Sequence, residues 1–168
     1  MRSNVPSLGL LIFASAVMMS LSISCRHLPL QNPAERTKEQ DQVILFIHSI
    51  EATVTAKGPL AWLTFFDNSP AFLMANDGVL VFHNYEEARS AITTVLINSI
   101  RKISLQYDNI RIDALQQDIA GVAADFHEIL TNAAGKNNSY NGFFTAIAVQ
   151  TSQGWKFRNV QWSTVRTQ

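Results

Sequence analysis

The stretch GWKFRNVQWSTV, residues 154–165, contains two alternating patterns that do not share a register. Trp155 and Phe157 fall on one face of a strand, with Lys156 and Arg158 on the other. Continued at the same parity, the apolar face becomes Asn159, Gln161 and Ser163, while Val160 and Trp162 appear opposite. Two arrangements give this pattern. An unbroken strand can run from packed core into a pocket edged by neutral hydrogen-bonding groups. Alternatively, a β-bulge near Asn159 swaps the faces and returns Val160 and Trp162 to the core.

Upstream of this strand the chain offers three long strand segments, at 103–115, 119–131 and 140–151, with the polar stretch AAGKNNSYNG read as a turn. Before them, Asn84 with Glu87 three residues later forms a capping-box-like helix start. The helix that follows carries Ala88, Ile92, Val95, Leu96 and Ile100 on one side. AFLMAN and VLVFH are two short strands joined at Asp77-Gly78, a tight-hairpin signal. Asp67-Asn68-Ser69-Pro70 breaks the chain after a short helix, PLAWLTFF, that begins at Pro59. At 35–57, Val43, Ile47, Ile50 and Val54 recur at helical spacing, and Gly58 suits the C-terminal cap. The expected fold class is therefore α+β: three helices segregated to one side of a curved, mostly antiparallel sheet.

This order of elements, the hairpin at "NDG", the capped third helix and the terminal GWKFRNVQWS resemble the nuclear transport factor 2-like superfamily, and within it the bacterial SnoaL-like branch. The likeness covers roughly residues 36–166. It implies a cone, with the bent sheet wrapped around the first helix and a cavity at the open end. It also implies that these folds often dimerise through the outer sheet face, where Val160 and Trp162 would serve if they pointed outward. The ketosteroid isomerases of this superfamily place a tyrosine, an aspartate base and a protonated aspartic acid in the cavity. The matching positions here hold Ala52 or a neighbour, Ala75 or Asn76, and Thr145 or Ala146, so isomerase chemistry by that route is disfavoured.

The chain has 168 residues, and its 13 basic residues balance 13 acidic ones, so no strong field points to nucleic acid. Residues 8–24 carry no charge and follow Arg2, the layout of a secretory signal peptide, with Ser22-Ile23-Ser24 supplying small residues at its end. A membrane anchor is the competing reading. The only cysteine, Cys25, comes next, and LSISC resembles a bacterial lipobox in which that cysteine would be lipidated. The expected organisation is a signal peptide at 1–24, a proline-containing tether at 25–35 and one domain at 36–168. The expected location is periplasmic or extracellular, membrane-anchored through Cys25.

Several residues are candidates for chemistry. In ADFHE, Asp125 and His127 leave one face of a strand, and a carboxylate beside an imidazole suits a general base. The apolar run Ala120, Val122, Ala124, Phe126 and Leu130 marks the opposite face as core, which would leave the pair in solvent. Asp67 is a second candidate base. His48 reads as an edge-of-core residue of the first helix, His83 precedes a helix start, and His27 lies in the tether. No histidine pair has metal-site spacing, and neither a nucleophile elbow nor a phosphate loop appears, so no metal or cofactor is expected. Aromatic residues are plentiful. Trp62, Phe66, Phe72 and Tyr107, with Asn159, Gln161 and Ser163, are the expected lining of a cavity for a small, largely apolar molecule. A cavity enzyme and a dimeric interaction module are the alternatives.

Overall fold

Helix α1 spans Pro33–Lys57 and presents Val43, Ile47, Ile50 and Val54 to the interior, each fully buried. These are the residues whose spacing marks the apolar stripe in the sequence. The computed structural model describes residues 33–165, with side chains from Thr37 onward. The expected signal peptide, Cys25, His27 and most of the expected tether lie outside the described residues. After α1, Gly58 adopts a positive φ of 73° and donates its N–H to the Val54 carbonyl, the helix-ending geometry that favours glycine. A 3₁₀ turn (Pro59–Ala61) and the short helix α2 (Trp62–Phe65) follow.

Strands β1 (Leu73–Asn76) and β2 (Val79–Phe82) pair antiparallel across Asp77 and Gly78, whose φ values of 49° and 81° define a tight turn with both central residues left-handed. Helix α3 covers Tyr85–Ala91, capped by Asn84, whose side-chain oxygen accepts the Glu87 N–H at 2.9 Å. It does not continue as one regular helix. Ile92–Leu96 is π-helical, and one last α-turn, Ile97–Ser99, leads into the sheet. Thr93 and Thr94 hydroxyls and the Asn98 amide all bond back to carbonyls one turn earlier, which competes with the regular ladder. Val95, expected with Ala88 and Ile92 on the core side, is consequently 60% exposed, and Ile100 already belongs to the next strand.

Four long strands complete the fold: β3 (Ile100–Gln116), β4 (Ile119–Asn132), β5 (Asn137–Thr151) and β6 (Gly154–Thr164). The turn after β4 is shorter than the polar stretch suggests, because Asn137 to Tyr140 are already paired with β4. The sheet runs β2-β1-β6-β5-β4-β3, antiparallel throughout except for the parallel pair β1–β6. It curls without closing. Its β3 edge meets α1, where Thr55 and Glu51 side chains accept the Leu105 and Tyr107 N–H groups and Gln40 donates to the Ile112 carbonyl.

Two of the register shifts in the sheet bear on the candidate residues. One lies in β3 between Asp108 and Arg111, where Asn109 has φ 52°. The other lies in β6: Ala148 pairs with Phe157 and Ile147 with Asn159, so Arg158 is the extra residue. The faces therefore swap at Arg158. Trp155, Phe157, Val160 and Trp162 all point inward and are buried. Between α1, α2 and the concave sheet lies one aromatic core, in which Phe144 packs 5.3 Å from Phe157 and 4.8 Å from Trp162, centroid to centroid.

Candidate functional site

The core does not fill the cone. Toward the open end, between the concave sheet, the β1–β2 hairpin and the π-helical turn, lies a cavity of about 450 Å³. Its floor is aromatic: Trp62 from α2, Phe66 just after it, Phe126 from β4 and Trp162 from β6. Trp62 meets Trp162 edge to face at 5.7 Å, and Phe126 meets Trp162 likewise at 4.8 Å. Ile92, Val95 and Leu96 from the π-helical turn form one wall, and Met74, Val81 and Phe82 from the hairpin form another. The irregular turn thus brings Val95 to the mouth instead of the core.

Polar groups in the lining are few: Asn76, Asp77, Glu128, Tyr140 and Thr164. Asp77 is committed to structure. It accepts the Thr164 N–H at 2.7 Å and the Thr164 hydroxyl at 2.8 Å, tying the hairpin to β6. Glu128 differs. It stands on the same face of β4 as Phe126, across from Leu105 of β3 and Tyr140 of β5, with no hydrogen-bond or ion-pair partner among the described residues. Burial raises its pKa to about 7, because the ionised form loses hydration without gaining a cation. The Tyr107 hydroxyl is buried without a hydrogen-bond partner, and its pKa is raised well above the ordinary value by burial, then by Glu128 and Glu51.

Glu128 closes the motif ADFHE, and the period of two that sends Asp125 and His127 to one face sends it to the other. Asp125 and His127 both lie on the outer face. Asp125 accepts a 2.7 Å hydrogen bond from Asn109 at the β3 bulge, and the His127 ring is hydrogen-bonded to the Asn141 side chain. They are not bonded to each other and do not line the cavity. Asp67 is buried, accepting Arg158 Nε at 2.8 Å and the Ser69 hydroxyl at 2.8 Å, and it too is absent from the lining.

Among the expected ligand-binding residues, Trp62 and Phe66 line the cavity. Phe72 is fully buried, stacked on Phe66 at 4.6 Å, and Tyr107 packs against Phe144 at 5.2 Å. Asn159, Gln161 and Ser163 stand on the outer face, because the Arg158 bulge has exchanged the two faces of β6. His48 is on the exposed side of α1, 2.6 Å from Glu51, not at the core edge, and His83 bonds Glu87 at 2.8 Å. No group of three or more potential metal ligands occurs among the described residues. What the sequence did offer for Glu128 was its parity with Ala124 and Phe126; its acidity depends on neighbours from other strands.

No protein-family model matches the chain, and no curated protein matches it. Solved structures do. A nuclear transport factor 2-like superfamily protein from Salmonella enterica aligns over 78% of this chain and 91% of its own, at 16% identity and a TM-score of 0.58. A candidate scytalone dehydratase from Novosphingobium aromaticivorans aligns over 79% and 87%, at 14% identity and a TM-score of 0.67. A hexachlorocyclohexane dehydrochlorinase from Novosphingobium barchaimii aligns over 80% and 92%, at 10% identity and a TM-score of 0.63. The fold is thus the α+β cone of the nuclear transport factor 2-like superfamily, a scaffold shared by enzymes and binding proteins.

Proposed function

We propose that the chain binds one small, largely apolar molecule in the open end of its cone. The observation that carries this reading is the cavity itself, about 450 Å³ with an aromatic floor, aliphatic walls and a carboxyl group that no protein atom satisfies. That volume lies within the range of small-molecule sites, of the order of 300–1,000 Å³. Glu128 supplies the polar contact that orients the ligand. The test is titration with the neutral dye N-phenylnaphthylamine, read by quenching of tryptophan emission, since Trp62 and Trp162 form the floor. Saturable binding at one site per chain is expected; a linear, unsaturable response would remove the basis for a binding function.

A second reading rests on the same carboxyl. A group with a pKa of about 7 is suited to take or give a proton near neutrality. The names of two structural neighbours, dehydratase and dehydrochlorinase, describe eliminations. In such an enzyme Glu128 would be the base, in place of Asp125, His127 or Asp67.

The domain is further proposed to work outside the cytoplasm, tethered through a lipidated Cys25, on the strength of residues 8–24 and the LSISC sequence. Cells fed a palmitate analogue should label the parent chain and not Cys25→Ala. Label retained by the variant refutes the anchor.

A further inference from the structure

We infer that the cavity is selective for apolar amines, with the ammonium group of the ligand held against the Glu128 carboxylate and the surrounding aromatic faces. This deepens the binding function proposed above and rests on it. The argument begins with charge. Among the described residues, two acidic side chains, Asp77 and Glu128, line the cavity, and no lysine, arginine or histidine does. Asp77 has spent its oxygens on Thr164, so Glu128 is the one with capacity for a ligand.

The groups around Glu128 do not supply a cation either. Across β3 it faces Leu105 and, beyond, Tyr107; across β5 it faces Tyr140. From α1 the nearest acid is Glu51, which acts on Tyr107 and bonds its N–H. The π-helical turn contributes only Ile92, Val95 and Leu96, α2 and the residue after it contribute Trp62 and Phe66, and the hairpin turn contributes Asp77. Among the described residues, every charged or titratable group that lines the cavity with Glu128 is therefore acidic or phenolic. A bound anion would be repelled, and a neutral ligand would leave an ionised carboxylate uncompensated above neutral pH.

An ammonium resolves both conflicts. It neutralises the carboxylate and gains a cation–π attraction from the aromatic residues of the lining, Trp62, Phe126 and Trp162. The hydrocarbon body then fills the aliphatic walls. Protonation is linked to this choice. Below neutrality the amine must displace the proton from Glu128, so its affinity falls about tenfold per pH unit there and levels off above about pH 7. A neutral analogue has no such dependence.

Three probes of one shape test the inference on the purified full chain: adamantylamine, adamantanol and adamantanecarboxylate, titrated by calorimetry at about pH 5 and about pH 8. The amine is expected to bind at least roughly tenfold tighter than the alcohol at the higher pH and to lose most of that advantage at the lower. The carboxylate is expected to be weakest. In Glu128→Gln the amine preference should vanish. Should that variant not fold, the pH profile of the parent alone decides. Equal binding of amine and alcohol, tightest binding of the carboxylate, or a preference that survives Glu128→Gln overturns amine selectivity and leaves apolar binding standing. If none of the three binds, the binding function itself falls, and this inference with it.

Discussion

Glu128 combines a carboxyl group with a site that offers it nothing to bond. Such a group holds its proton more tightly in the folded chain than in the unfolded one, where its pKa is near 4.5. Its contribution is therefore most favourable below that value and is lost as pH rises through about 7. A displacement of this size corresponds to about 3 kcal/mol of destabilisation at high pH, as an order of magnitude. Denaturant titrations across this pH range should show the parent losing ground to Glu128→Gln as pH rises, with the two converging under acid conditions. A constant difference would mean that Glu128 is not desolvated as described. Asp67 shows the opposite solution at the residue scale: more deeply buried than Glu128, it is satisfied by Arg158 and Ser69. It anchors the loop before β1 to the bulge in β6, and that role accounts for an acid the sequence offers as a base.

At the scale of elements, the bulge at Arg158 and the π-helical turn after α3 do complementary work. The first rotates the end of β6 so that Trp162 and Thr164 face the hollow; the second pushes Ile92, Val95 and Leu96 toward it from the other side. Gly142 keeps β5 and β6 close at the same place. A Cβ there would sit 1.9 Å from the Ser163 carbonyl oxygen and 2.8 Å from the Phe126 ring. Since the first of these atoms is backbone, it cannot rotate away. Gly142→Ala should cost about 2 kcal/mol or more, measured as a lowered denaturation midpoint, because the strands must part to admit the methyl group. A variant as stable as the parent would show that β5 and β6 do not approach so closely. The bulge also explains why Asn159, Gln161 and Ser163 lie outside although their parity with Trp155 and Phe157 suggests a pocket lining.

For the domain over residues 33–165 taken as a whole, the consequence is a cone with an aromatic core and a hollow at its open end. Because the wide end has spare volume, a larger side chain placed there should occupy the hollow without straining the core. Leu96→Trp should therefore weaken dye binding at least roughly tenfold while leaving the denaturation midpoint within about 1 kcal/mol of the parent. Unchanged binding would place the dye elsewhere. Local signals in the sequence determined the elements of this cone: the stripe on α1, the Asp77-Gly78 turn, the Asn84 cap and the alternation of β4 are all set by residues within a turn or two of one another. The break in alternation along 154–165 offered a bulge near Asn159 as one of two readings, and the choice between them was not among those local signals. An extra residue in β6 acquires its place only through the strands on either side and through Asp67, far away along the chain. Likewise, the parity of Glu128 with Ala124 and Phe126 could have marked an acid on the core-facing side of β4, but not one that ionises near neutrality. That property comes from the low polarity of a hollow built by α2, the hairpin, the π-helical turn and four strands, and only their assembly reduces the hydration that the carboxylate would otherwise have.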